Sequence, residues 1–183
     1  MTLEEVINHY RTNDIFCDLE FFAFDLNALL SNSEDLSPKQ YEAVNLLDVG
    51  ISTSPALVTT VFYRGCSKSD LDRFSEGETY TPPSFLSVSM LPFEAANFTR
   101  IQEYGDKVLL RVICPVGSRL LFISDPEAES LERSEYLLPR EKRFRVSDWD
   151  GESGLDSLEI LQLPFHIAPG TLFRTVEFQP REE

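Results

Sequence analysis

The hydrophobic pattern of this chain changes period at Gly50. Before that point apolar residues return at helical intervals: Leu3, Val6, Ile7 and Tyr10 over residues 2–13, then Tyr41, Val44 and Leu47 over 37–48. Thr2 and Ser37 stand where an N-cap is needed, and Pro38 suits the first helical position, where a missing N–H costs nothing. After Gly50, β-branched and aromatic runs follow one another between turn residues: VTTVFY (58–63), SFLSVSM (84–90), KVLLRVI (107–113), RLLFI (119–123), YLLP (136–139), KRFRVSDW (142–149), SLEILQL (157–163) and TLFRTVEF (171–178). Residues 92–100, with Phe93, Ala96 and Phe98, read as one short helix between strands. Helices first and mostly antiparallel strands afterwards make an α+β order. A chain of 183 residues with 42% hydrophobic content can bury one sizeable core. A single domain over 1–183 is therefore expected, helical over 1–49 and β-rich over 56–180.

Charge narrows the partners. A formal charge of -15 sets up a field that repels phosphate backbones and anionic lipid heads, which disfavours nucleic acid and membrane and favours a protein partner. The same acidity also serves solubility alone. Cys17, Cys66 and Cys114 show neither CxxC spacing nor a pattern with His9 and His166 that would hold zinc, so neither a metal site nor a disulfide framework is read. The opening MTLEEVINHY lacks the basic and apolar regions of a signal peptide, and no apolar run approaches membrane-spanning length. Synthesis in a reducing cytoplasm and a monomeric chain are the expectations.

Three features could carry chemistry. The first is Arg64, placed by the pattern at the end of an apolar strand and followed by Gly65, where a ligand or another backbone can come close. Its guanidinium is a planar fork of donors suited to a diphosphate, although a strand-end arginine paired with a carboxylate is the commoner case. The second is Phe85-Leu86-Ser87-Val88-Ser89, whose alternation puts Phe85, Ser87 and Ser89 on one strand face and Leu86 and Val88 on the other. Such a hydroxyl row can orient a carboxylate, or can simply be the polar side of a half-buried strand. The third is Glu135, which enters the strand Tyr136-Leu137-Leu138-Pro139 from the acidic stretch 124–134. A carboxylate there could stabilise an oxocarbenium-like sugar, as in glycoside cleavage, without a metal, or could be the first exposed position of a strand.

Taken together and in this order, Arg64, the Phe-x-Ser-x-Ser row and the Glu135 strand followed by Phe144-Arg145-Val146 resemble the mono-ADP-ribosyltransferases of the arginine–serine–glutamate class, over roughly residues 41–146. The resemblance implies an α+β fold with N-terminal helices and a mostly antiparallel two-sheet β core. It implies NAD⁺ as co-substrate, no metal, and transfer of ADP-ribose to a protein target. Arg64 would hold the diphosphate side and Gly65 would offer its backbone to the nicotinamide amide. Ser87 would position the carboxylate of Glu135, which bonds the ribose 2′-hydroxyl. Ser89 and Phe98 would complete the NAD⁺ site, with Phe98 stacking near the nicotinamide. The stretch 124–134 corresponds to the loop that meets the target, and its Asp125, Glu127, Glu129 and Glu132 favour a target with a basic patch. Two departures stand out: Val88 replaces the middle threonine of the row, with its side chain facing away, and Arg133 stands two residues before Glu135, where arginine-modifying relatives carry Glu. An arginine there would repel an incoming guanidinium, so a neutral or acidic acceptor, such as a hydroxyl residue, is expected unless Glu132 takes that role. The resemblance also implies a bacterial effector or toxin, made in the cytoplasm and delivered into a host or competitor cell.

Rival readings differ in class. An NAD glycohydrolase would pass ADP-ribose to water, a thiol hydrolase would use Cys66 with His166, and a silent module would bind NAD⁺ or a partner without turnover.

Overall fold

Two capping boxes start the first and third helices. In α1 (Leu3–Thr12) the Thr2 hydroxyl accepts the Glu5 N–H and the Glu5 carboxylate accepts the Thr2 N–H, both at 3.2 Å. In α3 (Pro38–Ser52) Ser37 and Gln40 do the same, with Pro38 at the first turn as expected. Between them lies α2 (Phe22–Asn32), which the sequence pattern did not announce because Phe21, its N-cap, supplies no side-chain cap. The Asp25 carboxylate accepts the Phe21 N–H instead, at 2.9 Å. Gly50 of α3 sits at a close approach: a Cβ there would meet the Leu3 side chain at 2.9 Å and that of Leu121 at 3.2 Å. The computed structural model describes residues 1–92, 94–95, 107–124, 135–148 and 172–178.

Beyond the helices the described residues form β1 (Thr60–Ser67), a short α4 (Lys68–Arg73), β2 (Ser75–Glu76), β3 (Thr79–Tyr80), β4 (Leu86–Ser89), β5 (Lys107–Cys114), β6 (Leu121–Phe122), β7 (Glu135–Leu138), β8 (Phe144–Asp148) and β9 (Leu172–Phe178). Their order is β2-β3-β8-β9-β5-β1-β4-β7-β6, and the pairs are antiparallel except β5 with β9. Seven of the runs read as strands therefore pair. The run 157–163 and most of the helix read at 92–100 lie outside the described residues; Ala95 N–H donates to Leu91 C=O at 3.4 Å, the start of a helical turn there.

The ladder is uneven. β1 and β5 pair along all of β1, from Thr60↔Cys114 to Ser67↔Lys107, whereas β1 and β4 meet only at Tyr63↔Ser89. That single pair is a seam between a larger part ending in β1 and a smaller part, β4-β7-β6. Leu86, Val88 and Leu138 of the smaller part are buried in one cluster with Phe62, Val108, Leu110 and Val112 of the larger, so two sheets face each other across an apolar layer. Each large side chain sealed there contributes roughly 1.5–3 kcal/mol. The other face of the smaller sheet, through Phe85, Leu121 and Leu137, packs on Val6, Tyr10, Phe22, Leu26, Val44 and Leu47 of the three helices. The architecture is the expected one: helices first, then a mostly antiparallel two-sheet core.

Candidate functional site

Arg64 is not at a strand end. β1 runs on to Ser67 because β5 continues to supply partners, Arg64↔Leu110 and Gly65↔Leu109 among them. What ends near Arg64 is the pairing with β4. An antiparallel ladder continued from Tyr63↔Ser89 would set Gly65 opposite Ser87, but the strands part first. The carbonyl of Ser87 is taken by the Arg64 side chain, whose Nη1 donates to it at 2.8 Å. The β4-facing edge of β1 from Arg64 to Ser67 thus has no ladder partner in β4, and Arg64 Nε is buried with no hydrogen-bond partner among the described residues. A guanidinium with Nη1 anchored and Nε unpaired among the described residues is equipped to receive an anionic oxygen.

The serine row alternates as the sequence suggests. Leu86 and Val88 are buried between the sheets, while Ser87 and Ser89 are partly buried on the opposite side. Glu135 opens β7 directly opposite Ser89, with Ser87 opposite Leu137 and so diagonal to Glu135. Diagonal neighbours are within reach of a long side chain, and the Ser87 hydroxyl is near enough to the Glu135 carboxylate to favour its ionised form. The Ser89 hydroxyl instead accepts the N–H of Leu91, at 3.0 Å, and shapes the turn out of β4. The backbone of Glu135 is held from the other side: its N–H donates to Ser124 Oγ and its C=O accepts the Ile123 N–H.

Burial raises the pKa of Glu135 from its ordinary value, against the Ser87 hydroxyl and the Arg64 charge, and Glu94 raises it further. Arg64 pulls the same way on Cys66 and Tyr80, whose burial pushes Cys66 up to about 12 and raises Tyr80 as well. Cys66 is a buried strand residue, not part of a turn. Its thiol is not poised as a nucleophile. Phe98, Glu132, Arg133 and His166 lie outside the described residues. Among the described residues no group of three or more His, Cys, Asp or Glu side chains gathers as a metal would require, and no helix is long and apolar enough to cross a membrane.

One neighbour of this site was read in the sequence only as a helix-face apolar residue, and another was not read. Tyr10 of α1 lies close enough to Ser87, Glu135 and Arg64 for all three to act on its hydroxyl. Asn27 of α2 donates from Nδ2 to Tyr10 Oη at 2.6 Å. Tyr10 recurs on the apolar face of its helix, a signal that a packing residue gives equally.

Solved structures share this arrangement of elements. Plx2a, an ADP-ribosyltransferase toxin from Paenibacillus larvae, is 15% identical over 97% of this chain and 86% of its own, with a TM-score of 0.61. Vis toxin, an ADP-ribosyltransferase from Vibrio splendidus, is 16% identical over 97% of this chain and 73% of its own, with a TM-score of 0.62. The chain has the ADP-ribosyltransferase fold. Exoenzyme S from Pseudomonas aeruginosa, solved with human 14-3-3 protein beta and carba-NAD, is 18% identical over 85% of this chain, with a TM-score of 0.57; this chain spans 66% of it. At these identities the likeness is one of fold. No protein-family profile matches the chain, and neither does any curated protein.

Proposed function

We propose that the chain cleaves the nicotinamide–ribose bond of NAD⁺ and transfers the ADP-ribose to a side chain of a target protein. The observation that carries this reading is the meeting of Arg64, Ser87 and Glu135 at the place where β1 and β4 part, on an ADP-ribosyltransferase fold. Arg64 supplies Nε, unpaired among the described residues, for a diphosphate oxygen, beside the edge of Gly65 that β4 leaves unpaired. Glu135, ionised and oriented by Ser87, accepts the 2′-hydroxyl proton of the nicotinamide ribose and stabilises the positive charge that develops on the sugar. The C1′–N bond breaks with its electron pair leaving on nicotinamide, and the acceptor atom then bonds C1′ and gives up its proton. The fold's neighbour solved with carba-NAD supports NAD⁺ as the co-substrate. The -15 charge supports a protein target with a basic patch. Arg133, two residues before Glu135 in the sequence, supports a neutral or acidic acceptor rather than arginine. In this reading the chain acts as a bacterial effector or toxin on a protein of another cell.

The test is incubation of the wild type and Glu135→Ala with labelled NAD⁺ and a cell lysate, followed by intact-protein and peptide mass spectrometry. A Glu135-dependent gain of one ADP-ribose on a discrete protein is the expected result and names the acceptor. Loss of NAD⁺ without a labelled protein would mean a glycohydrolase. Intact NAD⁺ with both proteins would overturn the catalytic reading in favour of a binding role.

A further inference from the structure

We propose that Asn27 is a positioning residue for the site: its side-chain oxygen stands in for β1 at the start of β4, and so holds from α2 the parted strands between which Arg64 and Glu135 meet. The proposal rests on NAD⁺ being cleaved at that parting. It gives the N-terminal helices a part in the site beyond covering one face of a sheet.

The backbone groups that β1 abandons can be assigned strand by strand. On β7, Glu135 turns its N–H and C=O towards β6, to Ser124 Oγ and the Ile123 N–H. Alternate residues of a strand turn theirs to opposite edges, so Tyr136 and Leu138 face β4 and bond their partners Val88 and Leu86. Phe85, Ser87 and Ser89 are left with their backbone groups on the β1 side. Ser89 is met there by Tyr63. Continued in the same register, the ladder would bring Gly65 to Ser87 and Ser67 to Phe85. Neither pair forms, and two side chains take over. Arg64 Nη1 donates to the Ser87 C=O at 2.8 Å, and Asn27 Oδ1 accepts the Phe85 N–H at 3.2 Å. Phe85 is wholly buried, so water is no alternative partner, and an unmet N–H there would carry the full desolvation cost of the group.

The amide is fixed at both ends. A backbone N–H only donates, so the atom of Asn27 that faces Phe85 is its oxygen, and the NH₂ is left to Tyr10, whose phenol oxygen it meets at 2.6 Å. Tyr10 in turn stands edge-on to the rings of Phe22 and Phe85, with centroids at 6.2 and 6.5 Å. A short side chain held this way passes the position of α1 and α2 to β4 with little slack. Two residues beyond the Asn27 contact, the same edge carries the carbonyl that Arg64 grips, and Ser87 lies diagonal to Glu135. A start of β4 that is free to shift loosens the spacing of Arg64 and Glu135, and reaction rates are steeply sensitive to such misplacement.

Three variants separate the contacts. Asn27→Leu keeps the bulk and removes both. Asn27→Asp keeps an acceptor for Phe85, and the Tyr10 hydroxyl can donate to it in place of the lost NH₂. Tyr10→Phe leaves the Asn27 oxygen on Phe85 and removes only the second arm.

The experiment follows hydrogen exchange at the Phe85 amide by NMR, with the β5 amides as the reference for global stability. In the wild type this amide should exchange far more slowly than in an unfolded chain. Asn27→Leu should speed it about tenfold beyond any change shared by β5, Asn27→Asp should keep it protected, and Tyr10→Phe should expose it less than Asn27→Leu does. In NAD⁺ cleavage, measured well above the acid limb so that an added carboxylate does not alter the ionisation of Glu135, Asn27→Leu should lose about three- to tenfold in kcat. KM should change little, since Arg64 keeps its carbonyl, and Asn27→Asp should recover the rate. Exchange at Phe85 that Asn27→Leu leaves unchanged, or that Tyr10→Phe speeds as much, overturns the anchor, and so does a kcat that falls equally in Asn27→Leu and Asn27→Asp. Should Asn27→Leu fail to fold, a Phe85 amide that exchanges as freely in the wild type as in an unfolded chain still overturns it. A wild type that leaves NAD⁺ intact sinks the proposed function, while exchange at Phe85 still decides the anchor.

Discussion

Arg64 has two separable properties, a fork and a charge, and two substitutions divide them. One Nη holds the Ser87 carbonyl at 2.8 Å while Nε is buried without a partner among the described residues, so the fork can hold β4 and a ligand oxygen at once. The charge meanwhile pulls the pKa of Glu135 down against its burial. In Arg64→Lys the charge stays but a single ammonium cannot keep both contacts in that planar geometry. Loss of one charge-assisted hydrogen bond costs about 1.5–3 kcal/mol, which corresponds to a fall in kcat/KM for NAD⁺ of about 10- to 150-fold. In Arg64→Gln the same loss is joined by a change in pH dependence. Glu135 must be ionised to accept the ribose hydroxyl proton, so the acid limb of kcat/KM follows its pKa in the free enzyme. Removing a positive charge that lowers this pKa lets it rise, and the acid limb moves to higher pH. The assay is fluorescent release from etheno-NAD⁺ over the acid range for wild type, Lys and Gln. The reasoning fails if the Gln and Lys variants share one acid limb, since Arg64 would then lie outside the field of Glu135. It fails differently if both keep the wild-type kcat/KM, which would mean that Arg64 does not hold the substrate.

Glu135 also bears on stability. Its pKa in the folded chain is raised above the unfolded value, so ionising it penalises the folded state, and stability falls as pH rises from the unfolded value through the folded one. Glu135→Gln should therefore melt higher than the wild type at neutral pH, with the difference vanishing below the carboxylate range. Each unit of the shift is worth about 1.4 kcal/mol, and each kcal/mol about 2–4 °C of melting temperature in a chain of this size. An equal or lower melting temperature at neutral pH would contradict the desolvation account. The three cysteines are free and buried, with burial pushing Cys66 and Cys114 to about 12 and raising Cys17. Iodoacetamide should leave all three unmodified in the folded protein and modify them in denaturant, and Cys66→Ala should keep NAD⁺ turnover; rapid labelling of native Cys66 would revive the thiol reading.

The change of period at Gly50 carried most of the architecture, because helices with capping boxes and strands with β-branched runs leave direct marks. The Thr2 and Ser37 caps are where their residue types call for them. α2 left no such mark: FFAFDLNALL is apolar on nearly every side, and the only acid in its first turn, Asp25, bonds backward to Phe21 rather than standing at the N-cap. The hairpin β2–β3 is two residues a side around Gly77, at φ +59, which is shorter than any alternation can show. Arg64, Ser87 and Glu135 were legible as types in an order, and the Leu86/Val88 against Ser87/Ser89 alternation gave their faces. Their mutual geometry was not legible, since it depends on where β1 stops pairing with β4, and a one-pair seam has no residue signature.

That seam explains how one short sheet can serve two ends. Had β1 and β4 paired throughout, the Ser87 carbonyl would be satisfied by backbone, and Arg64 would need another anchor. Because they part after Tyr63↔Ser89, the backbone of Ser87 holds Arg64 while its side chain reaches Glu135. A single residue thereby fixes the distance between the cation and the carboxylate that the proposed chemistry uses. The strand beneath it is held in turn from the helix side, through Asn27 and Tyr10. A change in α1 or α2 that shifts these two side chains should therefore be felt in the ionisation of Glu135 before it is felt in the binding of NAD⁺, since Arg64 reaches the strand through a backbone carbonyl that no side-chain substitution removes.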